Sequence, residues 1–272
     1  MRVDILEQRT FTLKFRTLTY VRYDLTVHLT LNRPHLQNQV DLEMAQEINQ
    51  VCELVRQETE LRVVVITGEG LHFSVGDDAS VLAEKLKRSP RPDQLLQLYR
   101  PASALAALPV PLVAAINGDA LDHGLELALA CDVIIASENA RLGMTQLKRG
   151  ILPWDGGTQR LARLVGRAWA LEMLLTGRVL TAHDAARIKL ISKVTSPALL
   201  MRSVEEVCET ISSKAPIAAR YAKEAVIKGL DMTLEQGLRL ETDLNILLHR
   251  TGDRSAGISS FVNKEEPRFT GQ

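Results

Sequence analysis

Strands alternating with helices over the first part of the chain, followed by helices alone, predict an α/β core that carries a helical C-terminal lobe. Two observations lead there. Short buried-type apolar runs at 61–67, 112–116 and 132–136 are separated by helical stretches, the pattern of parallel strands joined by crossovers. From Thr158 onward the pattern turns all-helical, with candidate helices at 168–175, 182–187, 204–213, 217–227 and 234–249. The break falls near 195–200, which predicts a core over 1–197 and a helical lobe over 198–272.

The elements follow in order. Tyr20, Leu25, Val27, Leu29 and Leu31 alternate as a strand pair does, with Tyr23-Asp24 as the turn. Pro34 ends that pattern. Asp41 starts a helix whose apolar face is Met44, Ile48, Val51 and Val55. The strand at 61–67 is closed by Gly68 and Gly70. A helix follows Gly76, then a polar break at Ser89-Pro90-Arg91-Pro92, a helix over 95–108, a strand over 112–116, a helix over 124–131 and a strand over 132–136. No internal repeat or low-complexity segment interrupts the series.

The 272 residues are 46% hydrophobic and 24% charged, enough to bury a real core. Lys+Arg and Asp+Glu both number 33, so no global charge points to nucleic acid or an anionic membrane as partner. The apolar run 105–116 is too short to span a bilayer and contains two prolines. Cys52, Cys131 and Cys208 are far apart and odd in number, which favours buried free thiols over a metal site or disulfide. Asp4 and Glu7 near the start fit neither a signal peptide nor an acid-poor transit peptide, and the final Phe-Thr-Gly-Gln is no peroxisomal address. A reducing cytoplasm is the expected setting.

The richest stretch is Asn117-Gly118-Asp119-Ala120-Leu121-Asp122-His123-Gly124-Leu125-Glu126-Leu127. It places a turn of small residues between an apolar strand and a helix. Such a turn presents free backbone N–H groups and the positive end of the helix dipole, which together stabilise an oxyanion. Glu126, three residues after His123, lies on the same helical face and points back toward that spot.

Together with His72-Phe73-Ser74-Val75-Gly76-Asp77-Asp78 and Ile151-Leu152-Pro153-Trp154-Asp155-Gly156-Gly157-Thr158-Gln159-Arg160, this stretch resembles the crotonase (enoyl-CoA hydratase/isomerase) family, over about residues 29–269. The resemblance implies a spiral of ββα units with an all-helical C-terminal lobe that builds a homotrimer or a dimer of trimers. It also implies an acyl-CoA substrate, with coenzyme A entering as part of the substrate and no further cofactor or metal.

Carried over residue by residue, the resemblance puts the two oxyanion-hole amides on Asp77 and His123, where small or apolar residues and glycine are usual. Two readings stand for these side chains. They could point into solvent or polar contacts, the backbone alone mattering, or His123 could project into the pocket and add a titratable group near Glu126. Asp78 matches the family's usual Asp, a helix cap. Glu126 matches the first catalytic Glu of the hydratases. The second falls on Gln146, and an amide can orient water but cannot take or give a proton at neutral pH.

Asp155 is the expected substitute acid, since family members with other chemistries place an Asp at or next to that point; otherwise it caps the helix beginning near Gly157. Trp154 is expected to form a wall against the acyl group, or else to be a core aromatic. The CoA contacts implied are Arg33, Asn38, Lys223, Phe261 and Lys264, with Gln39 replacing a usual small residue. The resulting expectation is an enoyl- or dienoyl-CoA hydratase in which Glu126 activates water, Asp155 is the partner acid and Gln146 orients. An isomerase, an acyl-CoA hydrolase and a non-catalytic acyl-CoA-binding paralogue are the alternatives.

Overall fold

The structure, a computed structural model, describes residues 10–272 apart from the side chains of 79–83, so Asp4 and Glu7 lie outside the described residues. A hairpin opens the fold: β2 (Leu18–Tyr23) and β3 (Thr26–Leu31) pair antiparallel across a turn in which Asp24 takes a positive φ. An additional strand, β1 (Thr10–Lys14), flanks β2. Asp41 caps α1 (Leu42–Gln57) by accepting the Met44 N–H, and the expected face of Met44, Ile48, Val51 and Val55 is buried.

Strand pairs then recur, and each pair sends one strand to each of two sheets. β4 (Val63–Gly68), β6 (Leu112–Ile116) and β8 (Val133–Ser137) join a seven-stranded sheet of order β1-β2-β3-β4-β6-β8-β11. Their successors β5 (His72–Ser74), β7 (Asp119–Leu121) and β9 (Arg141–Gly143) join a four-stranded sheet of order β10-β9-β7-β5. Helices follow each pair: α2 (Ala79–Arg88), α3 (Pro92–Leu98) and α4 (Pro101–Ala106) after β5, α5 (His123–Leu129) after β7, and α6 (Gly157–Thr176) after β9. This is the predicted ββα spiral. The single helix expected over 95–108 is two, because Pro101 disfavours a helical conformation at Arg100, whose φ is −131°.

The all-helical reading from Thr158 onward needs correction. β10 (Val179–Thr181) pairs with β9, and β11 (Lys193–Thr195), which follows α7 (Ala182–Arg187), pairs with β8. Three-residue strands carry too few residues to show a period of two. Beyond them, α8 (Leu200–Ser212), α9 (Pro216–Gly229), α10 (Leu234–Leu248) and α11 (Gly252–Asn263) form the helical C-terminal region.

The parallel strands are apolar on both faces because both faces are covered. Val64, Ile66, Leu112 and Ala114 face the main core, with Phe73, Ala120, Leu125 and Leu142. Val63, Val65, Val113 and Ile135 face the other way and are covered by Leu200, Val204 and Cys208 of α8, which therefore packs on the main sheet. Arg62 ties the C-terminal region to the core by donating to the Ser212 carbonyl at 2.5 Å and the Phe269 carbonyl at 2.7 Å. All three cysteines are free thiols, Cys52 and Cys208 buried and Cys131 half-buried. Among the described residues no helix is long and apolar enough to cross a membrane.

Candidate active site

The small sheet builds the site by register. β5 pairs parallel with β7 through Ser74 and Ala120, and β7 pairs parallel with β9 through Leu121 and Gly143. The turns leaving β5, β7 and β9 therefore lie side by side and carry Gly76-Asp77, Asp122-His123 and Thr145-Gln146. Gly76 adopts φ 103°, which a side chain would strain. Gly124 sits so tightly over the Ser74 carbonyl that a Cβ there would overlap it.

Among the described residues, neither the Asp77 nor the His123 backbone N–H donates a hydrogen bond. Their side chains are bonded to each other: His123 Nδ1 lies 2.6 Å from Asp77 Oδ1. The other ring nitrogen, Nε2, lies 3.1 Å from Asp155 Oδ2. The imidazole has no solvent exposure, and Asp77 and Asp155 are buried with it. Tyr99 and Trp154 pack on the ring with centroids at 5.4 and 5.5 Å, and the Trp154 indole N–H donates to the Tyr99 carbonyl. Burial alone would depress the His123 pKa, but the Asp77, Asp155 and Glu126 carboxylates reverse this and hold it at about 10. His123 is thus a buried imidazolium between two carboxylates.

Glu126 lies one turn along α5, also fully buried. Its Oε1 accepts the backbone N–H groups of Asp155 at 2.9 Å and Gly157 at 2.7 Å. Its Oε2 is buried without a hydrogen-bond partner, and so are both amide atoms of Gln146. Burial raises the Glu126 pKa, and the Asp155 charge adds to this against the opposing pull of His123 and the two backbone amides.

Asp155 does not cap its own helix. Its carboxylate crosses to the start of α4, where Oδ2 accepts the Ala102 N–H at 2.6 Å and Oδ1 accepts the Ser103 N–H at 3.0 Å and hydroxyl at 2.5 Å. The unpaired amides of a helix N-terminus are natural donors to a carboxylate. With His123 as a fourth donor, both oxygens are occupied, unlike those expected of a free acid. The Arg100-Pro101 step, which opens a helix with free amides at 102 and 103, was the sequence signal for this partner.

Sequence reasoning also missed Asp122, read only as part of the turn. Its buried carboxylate accepts the Thr145 backbone N–H, the Thr145 hydroxyl at 3.0 Å and Arg149 at 2.7 Å, and so fixes the approach to Gln146.

The residues nominated for CoA fall into two groups. Asn38 is fully buried, accepting the Arg33 N–H and donating to the Glu69 and His72 carbonyls, so its amide shapes the loop and is closed to a ligand. Lys223 Nζ donates to the Val110 carbonyl at 2.9 Å and to Asp132 at 2.7 Å, which engages two of its three N–H donors. Arg33 pairs with Asp41 at 2.9 Å and donates to the Gln39 carbonyl. Phe261 and Lys264 are exposed at the end of α11.

The profile of the family described as enoyl-CoA hydratase/isomerase matches residues 24–272. The chain is similar to 2,3-dehydroadipyl-CoA hydratase of Escherichia coli, 38% identical over 90% of this chain and 94% of that protein. It is also similar to (E)-benzylidenesuccinyl-CoA hydratase of Thauera aromatica, 37% identical over 90% and 95%. A solved enoyl-CoA hydratase structure from Geobacillus kaustophilus superposes with a TM-score of 0.91 at 30% identity, covering 97% of this chain and 100% of that one.

Proposed function

The chain belongs to the enoyl-CoA hydratase/isomerase family, and we propose that it adds water to the double bond of an enoyl- or dienoyl-CoA, or removes it, with Glu126 as the sole proton-handling side chain. The observation that carries this reading is the asymmetry of Glu126: Oε1 is held by two backbone amides, while Oε2 is buried and unpartnered. A carboxylate held at one oxygen and free at the other is oriented for proton transfer.

In the proposed reaction the thioester oxygen sits on the unengaged amides of Asp77 and His123. Donors of this kind contribute about 3 kcal/mol each when aimed at developing negative charge in a dry site. Glu126 Oε2 takes a proton from water as the water oxygen bonds to Cβ, and the electron pair of the double bond passes to the thioester as an enolate. The same proton then returns from Glu126 to Cα, so one carboxylate suffices and ends as it began. Gln146, with both amide atoms unpartnered, orients the water through one donor and one acceptor.

Asp155 enters as support, because its four hydrogen-bond donors compete with any role as a proton donor. Trp154, packed on the same ring as Tyr99, forms part of the acyl-pocket wall. Coenzyme A contacts are proposed for Arg33, Phe261 and Lys264, the working form being a homotrimer or dimer of trimers. A soluble cytoplasmic setting suits this chemistry.

A single free carboxylate oxygen also suits isomerisation, in which one base carries a proton between two carbons. A panel of CoA esters followed by mass spectrometry separates the cases. Gain of water is the expected result; an isobaric product would establish isomerisation, free CoA would establish hydrolysis, and binding without turnover would establish a carrier.

A further inference from the structure

We propose that His123 is a positioning residue whose side chain, bonded to Asp77 at one ring nitrogen and to Asp155 at the other, locks the two amide donors of the site to each other and to the loop that orients Glu126. The inference rests on the oxyanion-hole reading above and adds to it a role for the side chains that the backbone alone does not have.

The connectivity is continuous. The Asp77 and His123 backbone N–H groups are the two unengaged donors, and the shortest link between their residues is the 2.6 Å side-chain bond. At Nε2 the ring holds Asp155, whose own backbone N–H supports Glu126 Oε1. One imidazole therefore spans three turns that leave different strands: β5 supplies Asp77, β7 leads into His123, and the loop after β9 supplies Asp155. Hydrogen-bond donation at both nitrogens at once requires the doubly protonated ring.

The charged and titratable groups facing the ring are Asp77 from the β5 turn, Asp155 from the loop before α6, Glu126 from α5 and Tyr99 from the end of α3. Arg100 stands 3.7 Å behind Asp155. The Tyr99 hydroxyl donates to the Val40 carbonyl and competes for neither ring nitrogen. Held at both nitrogens and packed against two aromatics, the ring ties together the donors it joins.

The test uses the full chain and a saturated thioester, [1-13C]butyryl-CoA, which has no double bond to hydrate. Carbonyl polarisation is read as the 13C shift on binding, and affinity is read separately. In the wild type the carbonyl moves downfield. His123→Gln keeps the backbone N–H but can hold only one of the two carboxylates, and it is expected to lose at least about half of that shift with Kd within about threefold. Asp77→Ala is expected to behave likewise, whereas Asp77→Asn, which retains an acceptor for Nδ1–H, keeps most of the shift. If His123→Gln does not fold, the Asp77 pair decides, since a merely structural role would lower stability in both variants without separating their shifts. An unchanged shift in folded His123→Gln, or equal shifts in Asp77→Ala and Asp77→Asn, overturns the lock while leaving the oxyanion hole in place. A wild type that binds butyryl-CoA without moving its carbonyl overturns the oxyanion-hole reading and the lock with it.

Discussion

Glu126 Oε1 accepts the backbone N–H of Asp155 at 2.9 Å, while the Asp155 carboxylate turns away to His123 and the first amides of α4. The residue nominated as partner acid thus serves the base through its main chain and the imidazole through its side chain.

If Glu126 handles the proton alone, Glu126→Gln lowers turnover by about 10³-fold, the amide being unable to take a proton from water. The acid limb of kcat/KM in the wild type lies above the ordinary carboxylate range, because burial raises the Glu126 pKa and its neighbours only partly oppose it. A limb at the value of a solvated glutamate would place the essential base elsewhere.

Asp155→Asn replaces with NH2 one of two oxygens that accept two donors each, so it forces donor against donor at Ser103 or at both Ala102 and His123. Turnover is expected to fall by about 10²-fold together with the melting temperature, as for a broken buried network. Gln146→Glu in that background does not restore the rate, since what is lost is an acceptor and not a proton donor. Recovery on adding the second glutamate would return Asp155 to the role of acid.

His123 predicts a pH dependence of stability with a definite sign. Its folded pKa of about 10 lies above the ordinary 6.5, so the folded state holds the proton more tightly. The stabilisation is fully present below about pH 6.5 and is lost as pH rises through about 10. Melting temperature in the wild type is expected to decline across that window, and in His123→Gln the decline should be shallower. Parallel curves for the two proteins would show that the imidazole does not carry the effect.

Long periodic elements were legible in the chain: the α1 face, the buried runs of β4, β6 and β8, and the turn before Glu126 all follow from local pattern. Those that escaped were short or depended on distant partners. β10 and β11 have three residues each and form only because β9 and β8 offer free edges. The departures at Asp77, His123 and Asp155 could be seen one by one, yet nothing in their spacing reveals a single cluster, which is made by the parallel pairing of β5 and β7 and the loop after β9. The family resemblance implies coenzyme A contacts at Asn38 and Lys223. The fold uses both internally, which only the positions of Glu69, His72, Val110 and Asp132 disclose.

The C-terminal helices present apolar side chains that the single chain leaves uncovered. Leu234 is 80% exposed and Phe261 86%, and Leu230, Leu238, Ile246 and Leu247 are exposed alongside on or near α10. Leu248, on the same helix, is half-buried within its own chain. Exposed apolar surface of this extent is usually buried against a partner. Light scattering at micromolar concentration is expected to give a mass of three or six chains. Leu234→Glu combined with Leu238→Glu should lower that mass, because two carboxylates would have to be desolvated for the contact to form. A monomeric wild type, or a double variant that assembles as the wild type does, would remove α10 from the subunit contact and leave its apolar face to another partner.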